Sequence, residues 1–397
     1  MKLLLLLPLL APSISQDSRG ASAAVAARNP FTAVGAALAE RVERGTYHGV
    51  VALVEASGER VFEEALGHQS LAPEVPMEID TIFRIYSMTK PITGVAAMIL
   101  VEEGELGLDD PAAKYLPAFE DMAVGVERES VEREMTVRDL LRHTAGLTYG
   151  IFAASEIDTM VREANVFDQR IDLEEMVGRL GEIPLKTQPG STFEYSLASD
   201  VLGRVVEIAS EMPLDEFFRK RIFEPLGMVD TGFYVPIEKR ARLAVIYRRA
   251  GRSLTPAGGD EDDPTVPPRL FSGGGGLFST ANDYLSFCRM LVNGGELDGK
   301  RILREETVAL MASDQLDGMV GSRMALGGGT FGLSVAVVTR DSEVGPGLGT
   351  YWWGGMAGTG FWIDPKKEVI GVFMIQNMME LNHTFDFQKD VYRALEY

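Results

Sequence analysis

Ser87 and Lys90 lie three residues apart in the stretch Tyr86-Ser87-Met88-Thr89-Lys90-Pro91, directly before a long apolar run. Three-residue spacing puts both side chains on one face of a helix. A hydroxyl beside an amine can form and break an acyl bond, and the pair can equally be two polar residues that open a helix. Chemistry sets a condition. A free lysine is neutral about once in 2,500 molecules at pH 7, so using it unaltered as a base costs about 4–5 kcal/mol. The site must lower that cost by desolvation, by a nearby cation, or by a second group that shares the proton. A tyrosine hydroxyl is suited to sharing, because an adjacent ammonium stabilises its phenolate.

Two further segments have the residue types such a site needs. Tyr195 in "FEYSLASD" follows a Pro189-Gly190 turn and precedes a helical pattern, which places it on a short loop, where tyrosine is also a common packing residue. "YWWGGMAGTG" (351–360) puts two adjacent glycines into an aromatic strand. Glycine there weakens a strand unless a ligand or another backbone comes close, or unless it marks a bulge. On an edge strand, an N–H at this point can meet a carbonyl oxygen.

The elements that must position these residues follow from periodicity. "FTAVGAALAERVERG" (31–45) reads as a helix, 49–67 as two strands joined at Ser57-Gly58, and "TIFRIYS" (81–87) as a further strand. The helix over 92–104 has Pro91 in its first turn and Gly104 at its exit. Helix patterns follow at 135–143, 172–181, 199–210, 213–227 and 280–295, with a polar loop over 251–270. The period then changes: 331–339, 349–365 and 368–377 read as adjacent strands, the last two joined by Asp364-Pro365-Lys366-Lys367, and a helix over 386–397 ends the sequence. Strands at both ends with helices between predict one sheet built from both ends and an inserted helical lobe. The expected domains are 28–104 with 272–397, and 105–271.

Composition narrows the functional classes. The chain has 397 residues, 46% hydrophobic, and a net charge of −20. The acidic balance repels phosphate backbones and argues against nucleic-acid binding. Cys288 is the single cysteine, and His48, His68, His143 and His383 are scattered without a His-Glu-x-x-His pair. No metal or cofactor is therefore expected. No Gly-x-Ser-x-Gly elbow occurs. Lys2, an apolar run of about nine residues and Ala21-Ser22-Ala23 resemble a secretory leader over residues 1–23. The run is too short for a stable membrane span. A periplasmic or secreted location is expected if the segment is a leader, and a cytoplasmic one otherwise.

Taken together, these motifs resemble the serine beta-lactamase and penicillin-binding-protein superfamily, and within it the class C beta-lactamase-like serine esterases, or family VIII carboxylesterases. Ser87-Met88-Thr89-Lys90 resembles the nucleophile motif, Tyr195-Ser196-Leu197 the second motif, and Trp353-Gly354-Gly355 the third motif in its esterase form. Residues 108–117, 140–150, 222–233 and 273–287 look like the same family, in the expected order. The resemblance implies an α/β (α+β) fold with a mainly antiparallel sheet. It implies a hydrolase cleaving short-chain carboxylic esters through an acyl-enzyme. Ser87 would be the nucleophile, Lys90 and Tyr195 would move its proton, and the N–H groups of Ser87 and Met356 would form the oxyanion hole. His143 would be structural. Trp353 and Leu197 stand where beta-lactamases of this type carry a lysine and an asparagine. With Gly354 and Gly355 they would line a pocket favouring uncharged acyl groups, with only weak beta-lactam turnover. A beta-lactamase, a D-amino-acid peptidase, a transacylase, and a catalytically silent binder of cell-wall or acyl ligands are the alternatives. The expected partner is a small-molecule ester. Acyl length, enantiopreference and oligomeric state are not set by the sequence.

Overall fold

The structure is a computed structural model that describes residues 29–151, 154–251, 253–257, 263–319, 329–342 and 344–396. The leader-like segment lies outside the described residues. Its framework is one antiparallel sheet of eight strands. In spatial order these are Thr330–Phe331, Ala336–Val337, Tyr351–Gly354, Gly360–Asp364, Val369–Met374, Gly49–Ala56, Glu59–Leu71 and Glu74–Pro76. The two ends of the chain meet in the middle of this sheet, in a register running from Val51↔Met374 to Ala56↔Val369. The 49–67 region forms the expected hairpin, with Ala56 opposite Glu59 and both Ser57 and Gly58 at positive φ. That is the twist a two-residue hairpin turn requires.

Gly49–Ala56 reads as an unbroken apolar run because both its faces are covered. Val51 and Leu53 join one core, while Val50, Ala52 and Val54 join another. The second core is closed by the helices Thr32–Glu43 and His383–Leu395, through Val34, Leu38, Phe387 and Val391. The first core holds the helices Thr89–Glu103, Ala198–Ser210 and Ala281–Val292. It is continuous with the apolar residues of the 105–271 segment, including Leu140, Leu173 and Phe217. Thr89–Glu103 is buried from Thr89 to Leu100, as expected of a helix that is apolar all round, and Gly104 caps it at φ +82°.

Several elements differ from the sequence reading. Only Phe83–Arg84 of 81–87 is a strand, and it pairs with Phe278–Ser279 outside the main sheet. The backbone then turns at Tyr86, where φ is +44°, into a single 3-10 turn, Tyr86–Met88. The 349–365 region is two strands with a turn over 355–359. The 331–339 region is likewise a pair of short strands. The 213–227 helix passes through a wide turn at Arg219–Phe223, where Pro225 cannot supply a backbone N–H. The 251–270 loop opens as a hairpin, with Ser253–Pro256 against Tyr247–Ala250.

Candidate active site

Ser87 sits in the 3-10 turn that precedes the Thr89–Glu103 helix, and Lys90 is the second residue of that helix. The strained φ of Tyr86 immediately precedes the serine. A non-glycine residue in this region costs about 1–3 kcal/mol and persists only where its surroundings enforce it. Here the surroundings are visible. Gln376 bonds both backbone groups of Arg84, and Ile85 N–H donates to Leu277 O at 3.0 Å.

Three functional groups converge. The Tyr195 hydroxyl donates to Ser87 Oγ at 2.7 Å, and Lys90 Nζ lies 3.3 Å from the same oxygen. Lys90 is fully buried. Its Nζ also donates to the Tyr149 hydroxyl at 2.7 Å and to Gly274 O at 2.6 Å. Three acceptors match the three donors of an ammonium. The same Nζ lies 4.8 Å from the centre of the Tyr195 ring and 5.3 Å from that of Tyr149. The charge therefore faces two aromatic rings and a carbonyl oxygen.

The two tyrosines are not equivalent. Burial, followed by the neighbouring Tyr195 and Asp200, holds the Tyr149 hydroxyl well above the ordinary phenol range. Tyr149 stays a phenol and anchors the lysine. Asp200 is also buried and fixes the other anchor. Its Oδ1 accepts from Gly274 N at 3.0 Å and from the Ser272 hydroxyl. Burial pushes this carboxyl up, against the opposing charge of Lys90 and these hydrogen bonds. A Cβ on Gly274 would stand 2.2 Å from Asp200 Oδ2, so only glycine fits the turn that presents its carbonyl to Lys90.

His143 belongs to the scaffold of the Tyr195 loop. It is fully buried, and its ring centre lies 4.9 Å from that of Tyr195. Its carbonyl accepts from Glu194 N at 2.9 Å, and its Nδ1 accepts from Ser196 N at 3.3 Å. Burial, then the charge on Lys90, pushes its pKa well below the usual value. The imidazole is neutral at pH 7 and touches Ser196 rather than Ser87. Below it, Asp139 accepts hydrogen bonds from Arg133, Thr136, Arg142 and Thr144, which fixes the start of this segment.

The glycine pair works through close approach. Tyr351–Gly354 has a neighbour on both sides at Tyr351 and Trp352, but Ala336–Val337 ends there, leaving Trp353 and Gly354 paired on one side only. At Gly355 the chain turns against the serine segment. A Cβ there would lie 2.3 Å from Ile85 O and 2.3 Å from Thr359 Oγ1, and Thr359 Oγ1 itself donates to Ile85 O at 3.3 Å. Met356 follows directly, in the same cavity wall as Ser87.

That cavity has a volume of about 1530 Å³ and is lined by Ser87, Tyr149, Tyr195, Trp353, Gly354, Gly355 and Met356 among others. The Trp353 ring packs 5.4 Å from Tyr195 and 5.1 Å from Phe331. Leu197 corrects the sequence reading. It is fully buried in the main core and does not line the cavity, because the chain turns into the Ala198–Ser210 helix at that residue. Tyr149, Asp200 and Gly274 were missed as site residues. All three sit inside the family-like or motif stretches, but their types and spacing gave no sign of contact with Lys90. Among the described residues, no group of three or more His, Cys, Asp or Glu side chains is placed to hold a metal ion.

The beta-lactamase family model matches residues 34–392. The chain belongs to the beta-lactamase family. Esterase EstB of Burkholderia gladioli is 35% identical over 337 residues, covering 80% of this chain and 82% of that protein. Lovastatin esterase of Penicillium rubens is 31% identical over 396 residues, covering 89% and 96%. The solved structure of EstCE1, described as a hydrolase with promiscuous acyltransferase activity, superposes with a TM-score of 0.80 at 28% identity, covering 92% of this chain and 98% of that one.

Proposed function

We propose that this chain is a serine ester hydrolase that works through a covalent acyl-enzyme on the Ser87 hydroxyl. One observation carries the assignment: Ser87 Oγ sits at a cavity wall between the Tyr195 hydroxyl at 2.7 Å and Lys90 Nζ at 3.3 Å. Lys90 and Tyr195 act together to take the serine proton, with Tyr195 as its carrier, as Oγ attacks the ester carbonyl. The N–H groups of Ser87 and Met356 receive the developing oxyanion, a donor pair of which each member typically contributes about 3–4 kcal/mol. Collapse expels the alcohol, which takes the proton back from Tyr195. Water then enters, loses a proton to Tyr195, and releases the acid, restoring Ser87. Tyr149 and Gly274 hold the lysine throughout.

The substrate class is a small-molecule ester, supported by the names of EstB and lovastatin esterase. Trp353, in place of a cation, supports poor affinity for anionic beta-lactams at that position. The cavity volume exceeds the roughly 300–1,000 Å³ usual for ligand pockets, so size alone does not confine the enzyme to short chains. A second reading, transfer of the acyl group to an alcohol, draws support from the activity described for EstCE1. Export is proposed only on the resemblance of residues 1–23 to a leader. The test is turnover of p-nitrophenyl esters of two to twelve acyl carbons, with nitrocefin alongside and with added alcohol. Fast ester cleavage with little nitrocefin turnover is expected. Dominant nitrocefin turnover would place the chain with the beta-lactamases, and alcohol-dependent product would make the transferase reading the leading one.

A further inference from the structure

Arg84 is a cation in this cavity that the reaction above does not use. It stands three residues before the nucleophile and lines the same cavity as Ser87. The other cationic side chains of the wall have carboxylate partners: Lys186 with Glu194 at 2.6 Å, Arg170 with Asp168 at 2.7 Å and Arg269 with Asp172 at 3.0 Å. Arg84 has none within 4.0 Å among the described residues. Every other half-buried arginine there has one, in a chain with 58 acidic against 38 basic residues. The guanidinium lies over the Phe278 ring at 4.7 Å, and both backbone groups of Arg84 are bonded to Gln376. It is thus held in place, half-buried and without an anion. A guanidinium in such a setting is matched by a carboxylate, which it can bind through two parallel hydrogen bonds.

We propose that Arg84 binds a carboxylate carried by the ester substrate, so that the preferred substrates are anionic esters. This rests on the esterase reading and deepens it. It also revises the expectation of an uncharged ligand drawn from Trp353, because the cation comes from a different segment of the wall. The carboxylate can belong to the acyl part or to the alcohol, and two matched pairs separate these. One pair is mono-p-nitrophenyl glutarate and its methyl ester. The other is 4-(butanoyloxy)benzoate and its methyl ester. In each pair the charge alone is removed.

The experiment measures KM for both pairs with the wild-type protein, Arg84→Ala and Arg84→Lys. The expected result, in at least one pair, is a rise in the ratio of carboxylate KM to methyl-ester KM on the order of tenfold or more in Arg84→Ala. Arg84→Lys restores part of it, since charge is kept and the two-pronged geometry is lost. An unchanged ratio in both pairs overturns the proposal, and so does an equal rise for charged and uncharged members, which is what a merely structural role produces. If the wild-type protein cleaves none of the four esters, the esterase reading fails, and calorimetric titration with glutarate and benzoate decides Arg84 separately. Binding lost in Arg84→Ala supports the site, and binding equal in both proteins, or absent from both, overturns it.

Discussion

Tyr149→Phe removes one oxygen and tests whether Lys90 must be anchored from both sides. The hydroxyl accepts from Lys90 Nζ at 2.7 Å, while Gly274 O accepts at 2.6 Å on the same buried ammonium. A hydrogen bond to a charged group contributes about 1.5–3 kcal/mol. At about 1.36 kcal/mol per tenfold, that loss lowers kcat/KM by about 13- to 160-fold if it falls wholly on the transition state. Tyr195→Phe removes the proposed proton carrier and should lower kcat/KM by about 10²- to 10⁴-fold. The assay is initial-rate hydrolysis of p-nitrophenyl butyrate by the wild-type protein and both variants, with thermal unfolding followed alongside. Tyr149→Phe should fall between the wild-type protein and Tyr195→Phe. A Tyr149→Phe rate within threefold of wild type would show that Gly274 suffices. A rate below that of Tyr195→Phe would exchange the roles of the two tyrosines.

Two further outcomes follow from the scaffold. Gly355→Ala should lower kcat by about 10²–10³, the cost of one oxyanion donor. Its Cβ would meet Ile85 O at 2.3 Å, so the backbone that carries the proposed Met356 donor must shift. Circular dichroism should stay native, and a normal kcat would remove Met356 from the oxyanion hole. Asp139 predicts an acid limit on stability. Burial opposes its charge, but the hydrogen bonds from Arg133, Thr136 and Thr144 outweigh that and lower its pKa from 3.8 to about 2. A depressed carboxyl stabilises the fold fully above its unfolded pKa and loses that contribution as pH falls from about 4 to about 2. The shift corresponds to about 2 kcal/mol. Thermal midpoints of the wild-type protein should drop through this window, and Asp139→Asn should drop less steeply. Parallel curves would mean that Asp139 titrates alike in both states.

The residues legible in the sequence were those whose neighbours are local. Ser87 and Lys90 share one helix start, and Tyr195 lies in a short motif, so type and spacing made them candidates and the family resemblance gave them roles. The groups that hold Lys90 are remote: Tyr149 is 59 residues away and Gly274 is 184. Only tertiary packing brings the segment holding Tyr149 and the turn holding Gly274 to the start of the Thr89–Glu103 helix. The sheet was legible for a similar reason, since alternating and continuous apolar runs mark strands wherever they are long. The 349–365 region misled because its turn, Gly355-Met356-Ala357-Gly358-Thr359, lies between two aromatic strands with no proline or charge to mark it. Leu197 misled because its place in the pocket came from the family motif, in which an asparagine stands two residues beyond the tyrosine, whereas here the leucine is buried in the core as the chain turns into a helix. Tyr86 left no trace, because its positive φ is imposed by Gln376 and Leu277 rather than by its own type.

The measurement that tests the account most directly is the mass of the intact protein, quenched in acid within milliseconds of mixing with p-nitrophenyl butyrate, for the wild-type chain and Ser87→Ala. The account predicts a transient gain of one butanoyl group, mapped to the peptide containing Ser87, and no gain in Ser87→Ala, together with loss of turnover. An acylated Ser87→Ala protein, or undiminished ester cleavage by it, would contradict the assignment of Ser87 as the nucleophile.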